Sequence, residues 1–253
     1  METVYQELVI DRSVVEQKLQ NGYQFDIGNY LGRGWEIYKQ EWLTFSIYAF
    51  LALIILTIAS ITIVGLLFTA YPLMLGFFIG ARRVESGESL SIGDMFGGFK
   101  KLPQLAILTL IPVLIMLLIT LPFGGVMIGM ASISGDGGTM AEGVAMGSVF
   151  LMYGVMFVAG IVLSLALFFA PYLIFFGDYS AIEALRTSWS LSLKQPLLII
   201  LFVILIGMIA QIGSFLCLIG VFASMGFAYV CYYPAIKDVL FTGKQINEEN
   251  KLY

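Results

Sequence analysis

Gly32–Trp42 reads GRGWEIYKQEW and leads into Trp42–Ala81, WLTFSIYAFLALIILTIASITIVGLLFTAYPLMLGFFIGA, a run of 40 residues without one Lys, Arg, Asp or Glu. About 20 apolar residues cross the hydrocarbon core of a bilayer as a helix, so this run suits two crossings joined by almost no loop. The turn is expected in Ser60–Gly65. The return arm carries Tyr71-Pro72, a kink signal, and Gly76-x-x-x-Gly80, a spacing that lets helices approach closely.

Upstream of the run, Ile27, Leu31, Trp35, Tyr38 and Trp42 recur at helical spacing, while Arg33, Glu36, Lys39 and Gln40 fall largely elsewhere around the helix. That pattern predicts an amphipathic interfacial helix entering the first span. Trp35, Tyr38, Lys39 and Trp42 are the expected anchors. Trp and Tyr carry an apolar ring with one polar handle and so suit the headgroup layer. Residues 1–24 read as a tail on the headgroups, with Asp11 capping a short helix through Leu19 and docking of a partner as the alternative. The first 41 residues are too polar to read as a cleavable signal peptide.

Similar entries recur downstream. Thr187–Gln195 (TSWSLSLKQ) adds Trp189 and Lys194 to the anchors, and Phe96–Lys101 (FGGFKK) is a weaker copy. The weaker copy falls within the polar loop Arg82–Gln104, where Ser91 or Asp94 is expected to cap a short helix presenting Phe96 and Phe99 to the interface. The spans predicted are 42–61, 63–81, 104–125, 148–176, 196–215 and 219–238. The third is interrupted by Pro112 and closed by Pro122, and a glycine-rich stretch with Gly125-x-x-x-Gly129 and Gly143-x-x-x-Gly147 separates it from the fourth. The chain then divides into a cytoplasmic segment 1–41 with the entry helix, a transmembrane domain 42–241 and a cytoplasmic tail 242–253. The fold class expected is all-α, a polytopic membrane helical bundle of six transmembrane helices in three same-orientation hairpins, with amphipathic interfacial helices.

Composition agrees. Apolar residues make up 59% and charged residues 12% of the chain, against roughly 45–50% and about 25% in soluble domains. A shift of 155 positions aligns Lys39-Gln40 with Lys194-Gln195, Ile61–Gly65 with Leu216–Gly220 and Arg82 with Lys237, which points to a parallel duplication. All 13 Lys and Arg, at positions 12, 18, 33, 39, 82, 83, 100, 101, 186, 194, 237, 244 and 251, fall in the termini or in the loops after the second and fourth spans. The positive-inside rule places both termini in the cytoplasm.

The chemistry is mostly exclusion. The chain has no histidine, which removes Ser-His-Asp and Cys-His catalysis, histidine-ligated metal and histidine proton relays. Cys217 and Cys231 form no C-x-x-C and read as packing residues. Neither phosphate-cradling nor dinucleotide glycine motifs appear. Asp136 and Asp178 fall on opposite sides of the predicted membrane, so they cannot form an intramembrane aspartyl pair; Asp178 is expected to cap the following helix and Asp136 to sit in a turn. Apart from Lys237 and Asp238 at the very end of the sixth, the predicted spans hold no Lys, Arg, Asp or Glu, which argues against ion-coupled transport. Thr109, Thr120 and Gln211 are the candidate polar path, with interhelical hydrogen bonding as the plainer role, shared with Thr57 and Ser164.

Three stretches resemble a group of bacterial six-span membrane proteins related to the membrane domain found ahead of the catalytic domain in some glycerophosphodiester phosphodiesterases. They are Gly32–Trp42, Gly80–Phe99 (GARRVESG…DMFGGF) and Ala170–Leu193, where APYLI is followed by EALRxSW. The resemblance implies an all-helical inner-membrane protein and carries no catalytic residue; the phosphodiesterase domain itself is missing. The function expected is a non-enzymatic bacterial inner-membrane protein without cofactor or metal, a structural or accessory subunit that organises a complex or local lipids. Its expected partners are membrane lipids and other membrane subunits, not nucleic acid. The alternative is a permease or lipid-handling transporter for an apolar or amphipathic molecule.

Overall fold

The computed structural model describes residues 9–133, 139–216 and 218–241. All regular structure among them is helical: α1 Arg12–Asn21, α2 Ile27–Gln40, α3 Trp42–Ala59, α4 Ile63–Glu85, α5 Ile92–Met95, α6 Leu102–Ile133, α7 Thr139–Leu167, α8 Ala170–Gly177, α9 Ala181–Ser192, α10 Pro196–Ile212, α11 Leu218–Val230 and α12 Tyr232–Leu240, with 3-10 turns at Phe96–Lys101 and Gly213–Leu216. Among the described residues, five stretches are long and apolar enough to cross a membrane: Trp42–Ala59, Val64–Glu85, Ile92–Gly125, Met146–Gly177 and Pro196–Phe215. The chain is a helical membrane protein.

Two expected spans are divided, and a proline divides each. A proline ring clashes with the carbonyl four residues earlier and offers no N–H. Pro171 stands four residues after Leu167, where α7 ends, so the expected span 148–176 becomes α7 and the short α8. Pro234 stands four residues after Val230, where α11 ends, so the expected span 219–238 becomes α11 and α12, of 13 and 9 residues. Neither piece has the roughly 20 residues needed to cross alone, whereas 218–240 taken as one broken helix is long enough. Pro72, Pro112 and Pro122, in contrast, lie inside continuous helices, so the interruption expected at Pro112 does not end α6. The glycine-rich stretch expected between spans is helical on both sides of 134–138, which contains Asp136 and lies outside the described residues. The 155-residue shift carries the ends of α4 onto the first residue of α11 and the last of α12.

The described residues form two compact units, 9–109 with 165–241, and Leu110–Ser164. In the larger, α3 packs against α4 and α11, and α10 packs against α11. Its centre is aromatic. Tyr48 meets Phe77 at 4.9 Å and Phe96 at 5.3 Å, Phe78 meets Tyr172 at 5.0 Å and Tyr233 at 4.9 Å, and Phe25 meets Tyr30 at 4.9 Å and Phe202 at 5.5 Å. Lipid tails are as apolar as this core, so close ring packing rather than water exclusion holds the parts within the bilayer. Edge-to-face pairs contribute about 0.5–1.5 kcal/mol each beyond their area. Helix α8 is buried along its whole length. Phe96 and Phe99 are half-buried against this core, and Ser91 caps α5 as expected, in a reciprocal box with Asp94.

From Val9 onward the N-terminal segment is docked on the larger unit rather than lying as a tail. Asp11 caps α1 as expected, and Ile10 and Val15 are buried. The Ile10 N–H donates to the Phe176 carbonyl at 3.0 Å, the Tyr23 hydroxyl to the Leu191 carbonyl at 3.0 Å, and the Gln195 amide to the Tyr23 carbonyl at 3.1 Å. Arg12 pairs with Glu183 at 3.0 Å and covers the Tyr179 ring.

In the smaller unit many apolar side chains are exposed. Leu118, Phe150 and Phe157 are each more than 70% exposed. Ile115 and residues 150–163 line a wholly apolar groove of about 670 Å³.

Candidate membrane-interface site

Helix α2 carries the candidate site, and the structure places its faces differently from the expected stripe of Ile27, Leu31, Trp35, Tyr38 and Trp42. The buried residues are Tyr30, Gly34, Ile37 and Tyr38. Trp35 and Trp42 are 50% and 54% exposed, beside exposed Glu36, Lys39 and Gln40. The reason is steric. A Cβ on Gly34 would lie 2.6 Å from the Cys231 sulfur, so only glycine lets α2 lie this close to the α11–α12 junction. That contact turns Tyr30 and Tyr38 inward and the two indoles outward. Tyr38 is therefore a core residue whose hydroxyl shares a 2.9 Å hydrogen bond with Ser46, not a headgroup anchor.

Behind α2 sits an ion-pair knot. Glu85, at the end of α4, accepts from Arg33 of α2 at 2.8 Å and from Lys237 of α12 at 2.5 Å, and also from the Tyr233 hydroxyl. One turn back along α2, the Tyr30 hydroxyl donates to Asp238, next to Lys237, at 2.6 Å. Burial, and then the Asp238 carboxylate as acceptor, push the Tyr30 phenol well above the ordinary tyrosine range, so it stays a donor. One carboxylate thus joins three helices that sequence alone lists only as polar neighbours of a membrane. The signal that could have found it is Glu85 itself, the only acid beside the Arg82-Arg83 pair at the end of that span.

Other cations are also engaged. Arg83 pairs with Asp94 at 2.9 Å and Lys101 pairs with Asp178. Asp178 does not cap α9, as expected; Ser180 does so. Asp178 instead ends α8 in the left-handed conformation at φ 52°, which Asp tolerates better than most side chains.

Trp35, Tyr38, Lys39 and Trp42 come together along one groove of about 390 Å³, completed by Ile212 and Gly213 after α10 and by Gly220, Ala223, Ser224 and Phe227 of α11. Trp35 meets Phe227 edge-on at 5.4 Å. Ser224 is committed to the Gly213 N–H and the Ala210 carbonyl, so Lys39 is the polar handle at the mouth. Lys39 itself pairs with Glu36 one turn back, both half-exposed. Trp189 and Lys194 lie elsewhere: Trp189 is half-buried against the core and Lys194 is exposed after α9. The polar-path residues do not line this groove. Thr109 donates to the Leu105 carbonyl at 2.9 Å, Thr120 to the Met116 carbonyl at 3.0 Å, and Gln211 is exposed near the end of α10. Thr57 and Ser164 likewise bond their own helices. Cys217 lies outside the described residues, while Cys231 is buried as a packing residue.

No protein-family model, curated protein or solved structure matches the chain. The resemblance drawn above rests on its own residues.

Proposed function

We propose that this is a non-enzymatic integral protein of the bacterial inner membrane, with both termini cytoplasmic, acting as a structural or accessory subunit that organises a membrane complex or local lipids. The observation that carries this reading is the filled centre of the larger unit. Tyr48, Phe45, Phe78, Phe169, Tyr172 and Phe202 are fully buried there. A transporter needs a polar-lined route. Thr109 and Thr120 instead spend their hydroxyls on their own backbone, as serine and threonine commonly do inside apolar helices.

Affinity purification from native membranes is expected to retrieve a defined membrane-protein partner, and proteoliposomes of the pure protein are expected to show lipid and solute flux no higher than protein-free vesicles. Flux above that background overturns the reading. For orientation, a reporter fused at Ser134 is expected to read as non-cytoplasmic, and a cytoplasmic signal there would reverse the topology.

A further inference from the structure

We infer that the groove lined by α2, Trp42 at the start of α3, Ile212 and Gly213 at the end of α10, and α11 is a binding site for an anionic phospholipid, with one acyl chain in the groove and the phosphate at Lys39. The inference rests on the membrane-accessory reading only for the bilayer around the groove. Three observations carry it. First, a Cβ on Gly213 would lie 2.0 Å from the Gly220 carbonyl oxygen, so glycine lets the chain meet itself there backbone to backbone, and the groove of about 390 Å³ has both glycines in its lining. Second, the walls are apolar except at one end, because Ser224 is already bonded within the protein. Third, that end carries a half-exposed cation between two half-exposed indoles, and indoles sit at the depth where a phosphate lies. Charge selects the headgroup. Glu36 holds Lys39 only through an exposed pair, a contact weak enough for a phosphate to displace.

Trp35 and Trp42 line the groove and the chain has three tryptophans, so a Trp189→Phe variant reports from the groove alone. Reconstituted in phosphatidylcholine vesicles, its fluorescence is expected to be quenched by brominated phosphatidylglycerol at about five-fold lower mole fraction than by brominated phosphatidylcholine, the effect of one cation near an anionic lipid. Adding Lys39→Gln is expected to bring the phosphatidylglycerol curve onto the phosphatidylcholine curve, and adding Ala223→Leu to weaken quenching by both. Equal quenching by the two lipids, or a preference that survives Lys39→Gln, overturns the site. If Trp189→Phe disturbs its packing, subtracting the signal of a Trp35→Phe, Trp42→Phe protein isolates the same indoles. None of these outcomes changes the partner retrieval or the flux measurement, so the two readings fail separately.

Discussion

Gly76→Ala is expected to prevent accumulation of the folded protein, or to lower its stability by about 3 kcal/mol or more, the upper range for overpacking. A methyl at this position would lie 2.0 Å from the Tyr48 hydroxyl and 2.3 Å from the Met95 carbonyl oxygen. The hydroxyl cannot retreat without loss, since it bonds the Leu73 carbonyl at 3.0 Å and the Met95 carbonyl at 3.3 Å, both in the buried core. The Met95 carbonyl belongs to backbone and cannot swing away. Gly154→Ala in α7 is the matched control, because nothing lies within 4 Å of its Cβ. There the better helix propensity of alanine is expected to leave stability unchanged or raise it by up to about 1 kcal/mol. Thermal midpoints in detergent compare the two. Similar midpoints would mean that α4 does not approach Tyr48 and Met95 as described.

Glu85→Gln is expected to cost about 2 kcal/mol, somewhat below the range for breaking a buried pair because the carboxylate keeps some solvent contact. The glutamine leaves Arg33 and Lys237 facing each other without the charge they share, and its single amide oxygen cannot accept from Arg33, Lys237 and the Tyr233 hydroxyl together. Glu36→Gln removes an exposed pair with Lys39 and is expected to cost less than about 0.5 kcal/mol. Added salt should move the difference little, since the knot is partly buried whereas the Glu36 pair is screened. If Glu85→Gln unfolds at the temperature of the parent, the knot does not hold α2 to α4 and α12.

Long apolar helices were legible because a charge-free run of 40 residues has few alternatives to a bilayer, and short ones because caps such as Asp11 and Ser91 announce themselves by type and spacing. The breaks at Pro171 and Pro234 were legible in principle, four residues downstream of each helix end, but Pro72, Pro112 and Pro122 carry the same local signal inside unbroken helices. Tertiary packing decides between them. The same is true of glycine. Gly76-x-x-x-Gly80 and Gly143-x-x-x-Gly147 are equivalent as patterns, yet the first meets Tyr48, Phe45 and Met95 while Gly143 and Gly147 meet nothing within 4 Å. The face of α2 was misassigned for a related reason: five apolar residues at helical spacing outvoted one glycine, and the glycine marks where the partner helix lies. The groove was half legible. Its α2 side stood out as aromatic and basic, while its floor comes from Gly213 and Gly220, 170 or so positions away, which no local pattern connects to Trp42.

The docked N-terminal segment has a consequence for how the chain is made. Tyr30 is bound to Asp238, 208 residues later, and Tyr23 to Leu191, 168 residues later. At the usual pace of synthesis, about 5–20 residues per second, Tyr30 waits roughly 10–40 s for its acceptor to exist. Through that interval Arg33 can reach Glu85, but the seat for α1 and the buried flank of α2 is still unmade. Helix α2 therefore spends its early life as a surface amphipath with two inward-facing tyrosines uncovered, and settles only when α12 arrives. The first helices to emerge are the last to be secured, and arrest of synthesis before α12 leaves an open aromatic face that membrane quality control can recognise.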